Sequence, residues 1–257
     1  MLRYRNTPHT STIRGLDYNS NMPRILRSPA DLAAEDIRSI YNHFDAPIAK
    51  LDCGKKCAPH NPNGVPFCCD ICHAVPAAYD SEWTTLRDTT GLWHKYRGDE
   101  CGASDSSTAG ASLADSDLPS GMILLACLGA DQCQRPNRIL SCRAFPFFPY
   151  ITSGHRFLGL ACEWDFESVC WVVSNLNQVT DEYRAEFIAA FDDLLATFDE
   201  VFENYEVHSQ RLRAHYGSRK MRFPVLHRNG GNYLVSPVSE RTQKVESRKF
   251  PKFGFYK

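Results

Sequence analysis

The chain has 257 residues, a net charge of −1, 43% hydrophobic residues and 23% charged residues. These values allow one large packed domain or two small ones, and exclude a global field for nucleic acid or an anionic membrane. No apolar run nears the roughly 18 residues of a membrane span, and the amino-terminal stretch lacks the apolar core of an export signal. The cytoplasm is therefore the expected compartment. There the eleven cysteines read as metal ligands or redox groups rather than as staples. The alternative, a secreted disulfide scaffold, has no export signal behind it, and an odd count precludes complete pairing.

Residues 1–27 are polar, contain five arginines and read as an N-terminal arm. A helix is expected next, with Ser28 as cap, Pro29 in its first turn and an apolar stripe of Leu32, Ile37, Ile40, Tyr41 and Phe44. Residues 51–76 are rich in Gly, Pro and Asn and read as loop, followed by a short helix with Trp83, Leu86 and Trp93. The Ser/Ala/Asp/Gly mixture over about 101–120 buries little and is expected to be a mobile insertion, with Cys101 at its edge a poor ligand.

Beyond it, "MILLACL" predicts a buried strand, and "FFPYITSGHRFLGLACEW" a hairpin turning at Ser153-Gly154. One helix is predicted from Asp181, capped by Thr180, with Phe187, Phe191, Leu194, Phe198, Phe202 and Tyr205 as its stripe. "FPVLHRNGGNYLV" predicts a second hairpin, and the segment after Arg241 a basic, solvated tail. The expected fold class is α+β: a small irregular domain of helices and short antiparallel hairpins organised around a cysteine-ligated metal site, with a long C-terminal helix. Its parts are the arm 1–27, a metal-binding domain 28–216 and a C-terminal hairpin and tail 217–257.

Within "FCCDICHAVP", Cys69, Cys72 and His73 spell the attachment signature of a c-type haem. The motif occurs once, leaves nine cysteines unexplained and begins inside a Cys-Cys pair, so the haem reading is set aside. The cysteines fall instead into two clusters. Cys53, Cys57, Cys68 and Cys69 form the first, with Cys72 three residues on; Cys127, Cys133 and Cys142 form the second. Thiolates are soft ligands that suit zinc or iron–sulfur clusters, both commonly held by four sulfurs. Adjacent Cys68 and Cys69 point apart on an extended backbone, so the pair either serves two centres or splits between ligation and packing. Lys55, Lys56, Arg135, Arg138 and Arg143 stand beside the cysteines and are candidates to offset thiolate charge, Arg143 foremost. Cys162 and Cys170 sit among apolar residues and read as packing.

Taken in order, "CGKKC", "CC", "CLGADQC", "QRP" and "CRAFPF" resemble the YkgJ-like cysteine-cluster family of zinc- or iron-chelating proteins. The resemblance covers roughly Leu51 to Pro146 and implies that the seven cysteines of the two clusters are metal ligands. The ten residues between Cys57 and Cys68 exceed the family's usual spacing. Flagellin lysine N-methylase is similar at a greater distance and is associated with an iron–sulfur cluster, which favours a 4Fe-4S centre over zinc.

The leading expectation is thus a cytoplasmic metalloprotein with a cysteine-ligated centre, its activity and its protein or small-molecule partner unidentified. The alternatives are a structural zinc module in a partner-binding protein and an iron–sulfur-dependent methylase-like enzyme. No catalytic acid or base stands out; His60, His73 and His155 near the clusters are more often structural than catalytic.

Overall fold

The computed structural model describes residues 32–101, 118–119 and 121–257. The expected arm, the Ser28 cap with Pro29 and most of the low-complexity insertion lie outside these residues. Helices and antiparallel strands alternate irregularly among the rest, an α+β arrangement.

The first apolar stripe forms α1 (Ala34–His43), where the Asp36 carboxylate accepts the Ala33 N–H at 3.0 Å. Its Ile37 and the following Phe44 are buried. The first cysteine segment holds one helical turn, α2 (Gly54–Cys57). Then come β1 (Ala77–Tyr79), α3 (Asp80–Thr89) and β2 (Trp93–Lys95), so Trp93 lies on a strand and not on the helix of Trp83 and Leu86. The predicted strand is β3 (Met122–Cys127), which pairs antiparallel with β1 along Met122–Leu124 and with β2 along Leu125–Cys127. The short α4 (Leu140–Ala144) leads to the second sheet.

The two predicted hairpins, β4 (Phe147–Ile151) with β5 (Phe157–Cys162) and β6 (Phe223–His227) with β7 (Asn232–Val235), are not separate units. With β8 (Thr242–Lys244) they form one five-stranded antiparallel sheet in sequence order, and β5 pairs with β6 across the boundary expected at 216/217. Gly159 permits that pairing. A Cβ on it would stand 2.3 Å from the Leu226 carbonyl oxygen, and its φ of +151° disfavours other residues.

The predicted helix begins as expected. α5 (Asp181–Thr197) is capped by Thr180, whose hydroxyl accepts the Tyr183 N–H at 3.2 Å. It does not continue through Tyr205. Phe198 is extended, with φ −125° and ψ 108°, and a second helix, α6 (Asp199–Ser218), starts after it. Phe198 is itself buried at the corner, so the apolar period runs through the break unaltered. Asp199 and Glu200 in the new first turn are the local sign of a second N-terminus. α5 buries Tyr183, Phe187 and Phe191 with Phe44, while α6 packs on β4.

The tail is not simply solvated. Phe250 and Phe253 are buried, the Phe253 N–H donates to the Ser174 hydroxyl at 2.8 Å, and the Phe255 ring stacks on His60.

Glu240, in the turn between β7 and β8, ties three elements together. It accepts the Tyr150 hydroxyl at 2.6 Å, Arg213 of α6 at 3.0 Å and the Ser153 amide at 3.0 Å. Burial pushes its carboxyl up, but the bonds from Ser153 and Tyr150, with Arg213 beside them, outweigh this and hold it below the usual range. A lowered folded pKa gives a contribution that is complete above the unfolded value of about 4.3 and lost as pH falls through the folded one. Glu240→Gln should therefore lower stability by about 2 kcal/mol near neutral pH. Urea titrations of wild type and variant should begin to draw together as pH falls below about 4 and converge only below the lowered folded pKa.

Candidate metal centre

The first cysteine segment is shaped by one buried carboxylate. Asp70 accepts from the side-chain amides of Asn61 and Asn63, each at 2.9 Å, and from the Cys72 N–H at 3.0 Å. These bonds fold the long spacer after Cys57 back on itself, so that the Phe67 N–H reaches the Cys57 sulfur. A 3-10 turn, Phe67–Cys69, then presents the Cys-Cys pair, whose sulfurs stand 3.9 Å apart.

The second segment hangs on two other buried groups. Glu82 of α3 accepts the Tyr41 hydroxyl at 2.7 Å, the Tyr79 N–H at 2.9 Å and, at 2.7 Å, the N–H of Leu140, which opens the helix carrying Cys142. Arg143, 5% exposed, donates to the carbonyls of Phe44 at 2.6 Å, Arg138 at 2.8 Å and Pro136 at 2.8 Å, and to the Asp45 carboxylate at 3.0 Å. Its hydrogen bonds go to oxygen and none to sulfur, so it holds the shape of the loop instead of sitting beside a ligand as its sequence position suggested. The cation that meets a thiol is Arg138, whose Nε donates to Cys133 Sγ at 3.1 Å. Arg135 bonds the backbone of Asp45 and Ala46, and Lys55 and Lys56 are exposed.

All seven cysteines of the two clusters line one cavity of about 1000 Å³, together with Cys72 and Cys170. Cys72 is bonded to Cys101, against the expectation that the thiols stay free, and their Cα atoms stand 5.0 Å apart. Nine cysteines remain free. Among the described residues, no three His, Cys, Asp or Glu side chains are gathered tightly enough to hold a metal ion as they stand. The donor chemistry of the lining nonetheless fits a thiophilic metal: it is rich in sulfur, and Arg138 lies within electrostatic reach of Cys133, Cys142 and Cys69.

The thiols are held in different states. Burial pushes Cys53 up to about 11 and raises Cys142 well above the usual thiol range, helped by the negative charge of its sulfur neighbours. The contact within the pair raises Cys68 and lowers Cys69 to about 7, with Arg138 adding to the second effect. Thiols with raised pKa values, such as Cys53 and Cys142, must release their protons if a metal binds.

His73 and His155 make packing and ion-pair contacts. His73 lies edge-on to Phe67 and 3.8 Å from Asp70, and His155 pairs with Glu206 at 3.1 Å. Sequence reasoning missed Cys170, read as packing, which lines the cavity. It also missed Glu163 and His208 on another part of the wall. His208 is buried, its Nε2 lies 3.0 Å from the Glu163 carboxylate, and its Nδ1 has no partner among the described residues. Nothing local marks such a pair, because its members lie on β5's exit and on α6 and meet only in the fold.

Arg143→Ala should destabilise the fold by about 1–3 kcal/mol through the buried carbonyls it leaves unpaired, since half-exposed Asp45 keeps Arg135 at 3.3 Å, and Arg143→Lys should recover little, since one ammonium cannot replace the planar fork. Denaturant titration checks both. No family model, no curated protein and no solved structure matches this chain.

Proposed function

We propose that the chain is a cysteine-cluster metalloprotein that holds an iron–sulfur cluster, or alternatively zinc, in the thiol-lined cavity. The observation that carries this reading is convergence: cysteines some 60 residues apart in sequence line the same cavity, with Arg138 donating to one of them. A role in packing alone gives no reason for eight free thiols and the guanidinium groups of Arg135 and Arg138 to share a wall. Cys53, Cys57, Cys68, Cys69, Cys127, Cys133 and Cys142 would hold the centre. The resemblance of the cysteine order to zinc- and iron-chelating proteins supports the same set. When bound, an iron–sulfur cluster supplies electron transfer or an open iron position, whereas zinc supplies a structural clamp. A reducing, cytoplasmic setting suits the free thiols.

A second reading, in which the centre serves an enzyme, has one observation in its favour. His208 and Glu163 place a proton-accepting pair on the wall of the same cavity.

Anaerobic purification with assay of iron, zinc and acid-labile sulfide tests the proposal. Iron with matching sulfide and broad visible absorption identifies a cluster, colourless tightly held zinc identifies a structural site, and absence of both metals overturns the reading. Cys142→Ser should lose metal and stability, because it removes a half-buried ligand of the second segment. His73→Ala should keep its full metal content, since that ring packs on Phe67.

A further inference from the structure

The irregular segment after β8 is held to the rest of the molecule in two different ways. Phe250 and Phe253 are buried in the main core, and the Phe253 N–H and carbonyl both bond the buried Ser174 hydroxyl, at 2.8 and 3.3 Å. Beyond Phe253 the attachment is lighter. Gly254–Tyr256 is a single 3-10 turn, and Gly254, Phe255 and Lys257 are exposed, Phe255 by 56%. This turn touches two parts of the site. On one side the Phe255 N–H and the Tyr256 hydroxyl donate to the carbonyls of Ser168, at 3.4 Å, and Val169, at 3.2 Å, the two residues before Cys170. On the other side the Phe255 ring stacks on exposed His60, three residues after Cys57, with centroids 4.6 Å apart and 8° between the planes. Tyr256 meets the same imidazole edge-on at 5.6 Å. It also packs with Cys57, Phe67, Phe166 and Cys170, which line the cavity, while lying outside the lining itself. The ring therefore covers that stretch of wall from behind.

Gly254 is where the turn must seat. Its φ is +51°, and a Cβ built on it would overlap the Ser168 carbonyl. Only glycine lets the backbone lie so close to the turn that carries Cys170.

We propose that residues 254–257 are a strap, hinged at buried Phe253, that closes the Cys57–Cys170 side of the cavity wall and releases it by local opening. Segments with few buried apolar contacts open at a lower free energy than the fold as a whole. Here two long hydrogen bonds and a surface ring stack hold the strap, whereas two buried aromatic rings hold the chain before the hinge. Closed, the strap joins the first cysteine segment to the turn before Cys170, and each of these contains only single turns of helix. Open, it uncovers Cys57 and Cys170. Cys127 and Cys142, which pack in a different cluster with Leu86, Trp93 and Ile139, are left as they were. The strap works in the same way whatever the cavity holds.

Timed labelling of the metal-free full chain with N-ethylmaleimide, read cysteine by cysteine by peptide mass spectrometry, tests the strap. In wild type the exposed Cys133 should label fast, and Cys57 and Cys170 slowly. Gly254→Val should speed Cys57 and Cys170 by about tenfold or more, because labelling follows the population of the open form. Cys133 should keep its rate, Cys162, buried on β5, should stay protected, and the thermal midpoint should hold. Phe255→Ala, which removes only the exposed stack on His60, should give a smaller rise at the same two cysteines. Wild-type rates at Cys57 and Cys170 in both variants overturn the strap. So does a rise at Cys162 as large as that at Cys57, which makes the turn part of the cooperative core. Neither outcome touches the metalloprotein reading, which metal content decides.

Discussion

The buried guanidinium of Arg143 is the constraint on which the second half of the site depends. A buried charge without partners costs several kcal/mol. Here one partly exposed carboxylate, that of Asp45, meets it, and backbone carbonyls supply the other acceptors. Those carbonyls belong to the end of α1 and to the loop 135–138, so satisfying one side chain draws two distant segments together. Glu82 does the converse. It is a buried carboxylate that gathers N–H and O–H donors from α1, β1 and α4. Between them, a buried cation that donates to carbonyls and a buried anion that accepts from N–H and O–H groups fix the segment 135–143 that leads to Cys142. The thiols gain a defined setting without spending their own sulfur on it.

That division of labour matters because sulfur is a weak hydrogen-bonding partner. Thiols crowded in an apolar wall have little reason to ionise together, since each thiolate raises the cost of the next. Cys142 and Cys53, both pushed up, follow this rule, and Cys69, beside Arg138 and Cys68, departs from it for a visible reason. A thiophilic cation changes the balance by supplying the positive charge that the wall lacks. Affinity that rises with pH follows directly, because loading is a competition with protons. The separation of the thiols as they stand, with no three close enough to hold an ion among the described residues, puts the remaining approach in the cysteine loops, which contain only single turns of helix.

Periodicity in the sequence was enough to locate β3, both hairpins and the start of α5, because each is bounded by turn or cap chemistry that acts locally, as Thr180 does. The break at Phe198 was hidden by that same periodicity: a buried corner residue continues the apolar stripe while the backbone leaves the helix. Joining the hairpins into one sheet needed Gly159 to meet Leu226 across 67 residues of sequence, which no local pattern records. In the site, residue type and spacing were legible, so the seven cysteines of the two clusters could be grouped from the sequence, whereas Cys170, which also lines the wall, read as packing. Side-chain direction was not. Arg143 follows Cys142 directly and yet turns to carbonyls, whereas Arg138, four residues before that cysteine, reaches sulfur.

Cys127 closes β3 of the three-stranded sheet, whereas Cys170 lies in the turn that follows β5 of the five-stranded one. The cavity therefore stands where the exits of two sheets meet. The first cysteine segment, which has little regular structure of its own, bridges them through its 3-10 turn at Phe67–Cys69. Around Cys170 the tail closes in, with Tyr256 donating to the Val169 carbonyl and Phe253 bonded to Ser174. Cys57, Cys127 and Cys142 sit on regular elements, while Cys53, Cys133 and Cys170 lie in the turns between them. Such a division lets a metal add its binding energy to the junction between sheets, the place where hydrophobic burial alone has least continuous backbone structure to act on.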